Sequence, residues 1–209
     1  MIRAFAVEKL QVKLFSNRRE MGKAAGRLVA EKIREILRLR KILSIVFASA
    51  PSQNEFLEEL SQSPGIDWRN VTAFHLDEYV GLSSEAPESF GHFLRVKLFE
   101  KVRPGRVYYL NGMEKDLEAE CKRYAGLLKV HPLDVACIGI GENGHLAFND
   151  PPFADFQDPL IVKVVELDLV SRQQQVRDGC FKSLQEVPQK AITLTIPAIL
   201  SAPFIYCMV

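Results

Sequence analysis

Long apolar runs, paired cysteines and charge of one sign are all missing from this sequence. Its apolar runs are short and interrupted, which leaves no membrane span. Met1 to Val7 is too short and too quickly charged for a signal peptide. Lys and Arg total 27 against 26 Asp and Glu, a formal net charge of +1. That balance gives no electrostatic case for nucleic acid or an anionic membrane as partner. The four cysteines, Cys121, Cys137, Cys180 and Cys207, are widely spaced with no Cys-x-x-Cys pair. Two of them lie in strand-like apolar runs, where small buried hydrophobes are the expectation, and a reducing cytoplasm is the expected home. Metal-ligand spacing is absent, so neither a metal nor any other cofactor is expected. Internal repeats, low-complexity tracts and linkers are absent too, and 209 residues suit one domain, 1–209.

What is present alternates. Strand patterns at 11–16, 42–49, 71–76, 107–110, 134–140, 161–167, 191–196 and 204–209 are separated by helical patterns. The helices fall at 19–39, 54–62, 89–102, 115–130 and around 171–184. Such alternation predicts an α/β fold with a mostly parallel sheet covered on both faces. Ligands in that architecture sit at the carboxyl ends of strands.

Two of those ends carry chemistry. After the apolar run 135–140 comes Gly141-Glu142-Asn143-Gly144-His145-Leu146-Ala147-Phe148-Asn149-Asp150-Pro151. A His held near a carboxylate is equipped to move protons at neutral pH, and glycines let a backbone approach a ligand closely. The second string is Phe74-His75-Leu76-Asp77-Glu78-Tyr79-Val80-Gly81, after the run 71–76. Taken singly, the first string is also consistent with a plain glycine turn and the second with a solvated one. Whether Asp77 and His145 face one cavity separates these readings.

The two strings resemble the signature segments of the glucosamine-6-phosphate deaminase (isomerase) family. Pro87-Glu88-Ser89-Phe90, Leu110-Asn111-Gly112, the 118–124 helix, Val187-Pro188 and Ala191-Ile192-Thr193-Leu194-Thr195 are similar to it as well. The resemblance is dense from Val71 to Pro151 and looser on either side. It implies a three-layer αβα, doubly wound fold and an amino sugar phosphate as the small-molecule substrate. It assigns ring opening to His145, oriented by Asp150 and Asn143, and the C2–C1 proton transfer to Asp77. The family often has an acid at position 143 and usually Glu at 150, so this chain resembles a divergent member.

For the phosphate, the resemblance points to the loop after the 42–49 strand, with Ser49 and Ser52, and to Gly141 and Gly144. Ser52 also fits an N-cap for the helix that starts near Asn54. Where the family has a Thr-Gly-x-Thr-Pro-like run, this chain has Ser49-Ala50-Pro51-Ser52-Gln53, which removes a glycine and introduces a residue without an N–H. Arg177, with Arg172 five residues earlier, matches a family phosphate ligand; a pair of solvated arginines is the alternative. A family Lys after the last strand has no counterpart, since the sequence stops at Val209, and a truncation there is expected. Competing functions are a 6-phosphogluconolactonase-like hydrolase and a non-catalytic sugar-phosphate sensor. The number of subunits stays open, a homo-oligomer included.

Overall fold

The computed structural model describes residues 1–151 and 153–209. The chain opens on an antiparallel hairpin, β1 (Arg3–Val7) and β2 (Leu10–Leu14), where the sequence pattern had suggested one strand at 11–16. Helix α1 (Arg18–Arg40) follows, its first turn closed by Asn17 Oδ1, which accepts the Glu20 N–H at 2.9 Å. It ends at Lys41, whose left-handed backbone lets its N–H reach the Leu37 carbonyl.

Strand β3 (Leu43–Phe47) is buried throughout, as the centre of a sheet covered on both faces must be. A short 3-10 turn, Pro51–Gln53, leads into α2 (Asn54–Gln62). Next come β4 (Val71–His75), β5 (Asp77–Tyr79), and α3 (Phe90–Leu94) joined to α4 (Glu100–Val102) by a π-helical turn. The rest runs β6 (Arg106–Val107), α5 (Leu117–Val130), β7 (Val135–Ile138), β8 (Val162–Glu166), α6 (Leu169–Arg177), β9 (Lys190–Leu194), α7 (Ile196–Leu200) and β10 (Phe204–Cys207).

Five strands form one parallel sheet in the order β10-β7-β3-β4-β6. Alternate side chains along a strand enter opposite layers. Leu43, Ile45 and Phe47 pack with α1, α2 and Leu94. Val46 packs with Tyr124 and Leu128 of α5 on the other face. The fold is therefore the expected three-layer α/β sandwich. The chain winds from β3 through β4 to β6, then returns to β7 on the far side of β3. The crevice at that reversal, beyond the ends of β3 and β7, is where such sheets place ligands.

Three strand expectations need correction. The segments at 161–167 and 191–196 do not extend the parallel sheet. They form β8 and β9, which pair antiparallel with each other and with β5 in a separate three-stranded sheet. The chain runs straight from β4 past Leu76 into β5, so one extended segment leaves the parallel sheet and enters the small one. The strand expected at 107–110 shrinks to Arg106–Val107, and the helix expected at 171–184 ends at Arg177, before Gly179 turns with φ 75°.

Strand alternation also separates the two adjacent carboxylates of β5. Glu78 is buried and accepts from Ser89 Oγ (2.7 Å), Gly91 N–H (2.9 Å), Phe90 N–H (3.2 Å) and its neighbour's Tyr79 N–H (3.0 Å). It holds the unsatisfied amides at the start of α3. Glu78→Ala strands these donors, each costing about 1–3 kcal/mol. Urea denaturation is expected to show a loss of at least ~2 kcal/mol, and an unchanged midpoint would contradict the capping role.

Candidate active site

The crevice is a cavity of about 710 Å³ whose wall includes Ser49 to Ser52, Leu76, Asp77, Gly139 to Gly141 and His145. The two strings singled out in the sequence thus meet at one cavity. Asp77 comes from the strand that leaves the parallel sheet, and His145 from the loop that follows β7.

Asp77 is 6% exposed. Burial, and then the charge of Glu78, push its carboxyl well above the usual carboxylate range. Its backbone is braced by His75, which is fully buried. His75 Nδ1 lies 2.8 Å from the Asp77 carbonyl oxygen, and Nε2 accepts the Leu110 N–H at 2.9 Å. A carbonyl only accepts and an amide N–H only donates, so the ring must be neutral with its proton on Nδ1. Burial lowers its pKa accordingly.

His145 is held from behind. Its Nδ1 lies 2.6 Å from Asn143 Oδ1, 3.1 Å from Asp150 Oδ1 and 3.3 Å from Ser171 Oγ. Asn143 Nδ2 donates to Asp150 Oδ1 at 2.9 Å, and Ser171 donates to the same oxygen. Burial alone would raise the Asp150 pKa, but the hydrogen bonds from His145, Asn143 and Ser171 outweigh it and hold the carboxyl below its ordinary value. An ionised Asp150 therefore stands behind the imidazole, which suits a proton-carrying His. Gly141 makes this arrangement possible: a Cβ there would lie 2.1–2.5 Å from three atoms of the His145 ring. Gly144 supplies the left-handed turn (φ 86°) between Asn143 and His145.

The His145 loop is tied to β9. Thr193 Oγ1 accepts the Phe148 N–H at 3.2 Å, and Asn149 Nδ2 donates to the Leu194 carbonyl at 2.8 Å. Thr193 is the residue paired with Asp77 across the small sheet.

The expected phosphate residues divide. Ser49 and Ser52 line the cavity, but Ser52 is not the N-cap of α2. It lies inside the 3-10 turn, and Gln53 precedes the helix without a side-chain cap. Arg172 lies away from the cavity wall, its guanidinium donating to the carbonyls of Leu184 (2.8 Å) and Val187 (2.9 Å). Arg177 is exposed and paired with Glu142. Among the described residues, the Lys or Arg that does line the cavity is Arg18, at the start of α1. It donates to the Pro51 carbonyl at 2.6 Å and pairs with Glu55 at 2.7 Å. The Glu55 carboxylate raises its pKa through hydrogen bonding and charge. Gly22, one turn along, puts α1 directly on α2: a Cβ there would lie 2.5 Å from Glu55 Cβ. Close helix approach through small residues was the one available sequence signal for Arg18. Among the described residues no cluster of His, Cys, Asp and Glu is arranged to hold a metal ion, and no helix is long and apolar enough to cross a membrane.

Residues 16–209 match the family model described as glucosamine-6-phosphate isomerases/6-phosphogluconolactonase. A glucosamine-6-phosphate deaminase of Streptococcus pyogenes serotype M3 is 35% identical over 187 residues, which is 89% of this chain and 75% of the relative. One from Bacillus thuringiensis is 36% identical over 170 residues, 81% of this chain and 63% of the relative. A solved monomeric glucosamine-6-phosphate deaminase superposes with a TM-score of 0.83 at 32% identity, covering 92% of this chain and 79% of that one. A 6-phosphogluconolactonase from Shewanella baltica, at 20% identity and a TM-score of 0.72, shares the fold.

Proposed function

Since the chain belongs to the family of glucosamine-6-phosphate isomerases and 6-phosphogluconolactonases, we propose that it converts an amino sugar phosphate of the glucosamine 6-phosphate type into a ketose phosphate and ammonia. One observation supports this most: a buried carboxylate with a raised pKa and an Asp-backed imidazole share one cavity. The reading takes 1–209 as one catalytic domain.

Three proton movements make up the reaction. His145 carries the anomeric hydroxyl proton to the ring oxygen, which opens the sugar. Asp77, ionised, takes the C2 proton; the electron pair moves into the C1–C2 bond, and the carbonyl oxygen takes up a proton from the C2 ammonium group, giving an enolamine. Return of the proton to C1 leaves an imine at C2. Water adds there, and the amine departs as ammonia with the proton it gains. A carboxylate whose pKa is raised by burial and by the neighbouring Glu78 holds a proton more strongly than an ordinary one, which suits it to removing a proton from carbon. Asn143 and Asp150 fix the imidazole, and glycines 141 and 144 shape the turn that presents it.

The phosphate end is placed at the loop 49–52 and Arg18, which line the cavity together. Arg18→Ala is expected to raise KM for glucosamine 6-phosphate by about tenfold or more, with little change in kcat. Ammonia release across hexosamine 6-phosphates, with 6-phosphogluconolactone hydrolysis as control, tests the whole reading. Lactone hydrolysis without ammonia release would replace it with the hydrolase. The solved deaminase described above is a monomer; gel filtration decides the subunit number here.

A further inference from the structure

Two serines flank the phosphate loop, and their hydrogen-bond partners give them opposite roles. Gln53 is completely buried. Its Nε2 lies 3.0 Å from Ser52 Oγ and 3.3 Å from the Met208 carbonyl oxygen. A carbonyl oxygen only accepts, so the amide end facing it must be the NH2, which fixes the orientation of the side chain. One hydrogen of that NH2 goes to Met208 and the other to Ser52. Ser52 Oγ therefore accepts, and its own proton is left to point at whatever occupies the cavity. Ser49 is the reverse case. Its hydroxyl lies 3.2 Å from the Phe90 carbonyl oxygen, so its proton is spent there and only lone pairs face the cavity. Lone pairs repel an anion.

We propose that Gln53 is a positioning residue: it holds Ser52, which the family resemblance already places at the phosphate, as a hydrogen-bond donor to that anion, a role Ser49 is not held in. The inference rests on the sugar-phosphate reading and adds to it which hydroxyl reads the anion. It also accounts for a buried glutamine in a loop that has lost the family's glycine. Pro51 removes one backbone donor, and a side-chain donor held in a set orientation takes its place. Arg18, beside the Pro51 carbonyl, supplies the positive charge.

Calorimetric titration with glucosamine 6-phosphate, and with inorganic phosphate as the probe of the anion alone, tests this. Ser52→Ala is expected to weaken both ligands by about tenfold to a hundredfold, the worth of a hydrogen bond to a charged group. Ser49→Ala is expected to weaken them less. Gln53→Met frees Ser52 to rotate and is expected to weaken binding by about threefold to tenfold, and to add nothing once Ser52 is already Ala. A merely structural glutamine would weaken the double variant further, and that result would overturn the proposal. So would a Ser49→Ala loss equal to or larger than that of Ser52→Ala. Should Gln53→Met fail to fold, Gln53→Glu is nearly isosteric and its carboxylate captures the Ser52 proton. It is expected to weaken phosphate at least as much as Ser52→Ala, and unchanged affinity would overturn the proposal. Ammonia release separates the two readings. If it is absent while the serine dependence holds, the function reading falls alone; if it is present without that dependence, the inference falls alone.

Discussion

Asp77→Asn is expected to lower kcat for ammonia release by about 10²–10⁴-fold, the usual worth of a positioned base, while substrate binding persists. The substitution keeps size and polarity and removes only the capacity to take a proton. Its effect on stability should have the opposite sign. The Asp77 carboxyl titrates well above the ordinary range because it is buried and lies beside Glu78. A raised folded pKa means that the protonated form fits the fold better. The stability it contributes is complete below the unfolded pKa and is lost as pH rises through the folded one. Asn carries no such burden. The variant should therefore melt at a higher temperature than wild type at neutral and alkaline pH, and the gap should close in acid. Activity of the wild type should fall as pH drops through the same raised pKa. A variant with near-wild-type turnover, or one that melts lower at pH 8, would contradict the assignment.

Gly141→Ala should be nearly as damaging as removing His145. A methyl group at 141 meets Cε1, Nε2 and Nδ1 of the ring within 2.1–2.5 Å, and such contacts cannot be relieved without moving the imidazole. We expect kcat to fall by about 10²-fold or more, with phosphate binding retained. His145→Gln should cost a similar amount, most of it on the closed-ring substrate. The double variant should be little worse than either single one, because both changes remove the same group. Fully additive losses in ammonia release would show that Gly141 acts through something other than His145.

The legible parts of this molecule were those encoded locally. Asp77 and His145 each follow an apolar run directly, so chain order alone placed both at the carboxyl edge of a sheet. The parallel sheet was legible through its buried runs and intervening helices. What escaped depends on distant partners. An apolar run such as Val162–Glu166 does not reveal whether its neighbour is parallel or antiparallel, and that missing fact hid the small sheet. Arg172 looks like a free cation in sequence, yet carbonyls 12 and 15 residues away occupy it. Arg18 lies 33 residues before Pro51, and only the close packing of α1 on α2 brings it to the cavity. The short connection from α2's 3-10 turn likewise concealed that Ser52 caps nothing.

Strand β9 has a mechanical meaning beyond its place in the small sheet. Thr193 lies across from Asp77 and also holds the Phe148 amide, while Leu194 holds Asn149. Both candidate catalytic segments are thus referenced to two neighbouring residues outside the five-stranded sheet. Asp77 and the His145 loop therefore share one attachment, as two gauges bolted to one rail share a reference. In the proposed reaction both side chains act on one bound sugar, so their relative placement decides whether each meets its own atom. Precision here comes from a short common reference, without any need for the larger scaffold to be rigid.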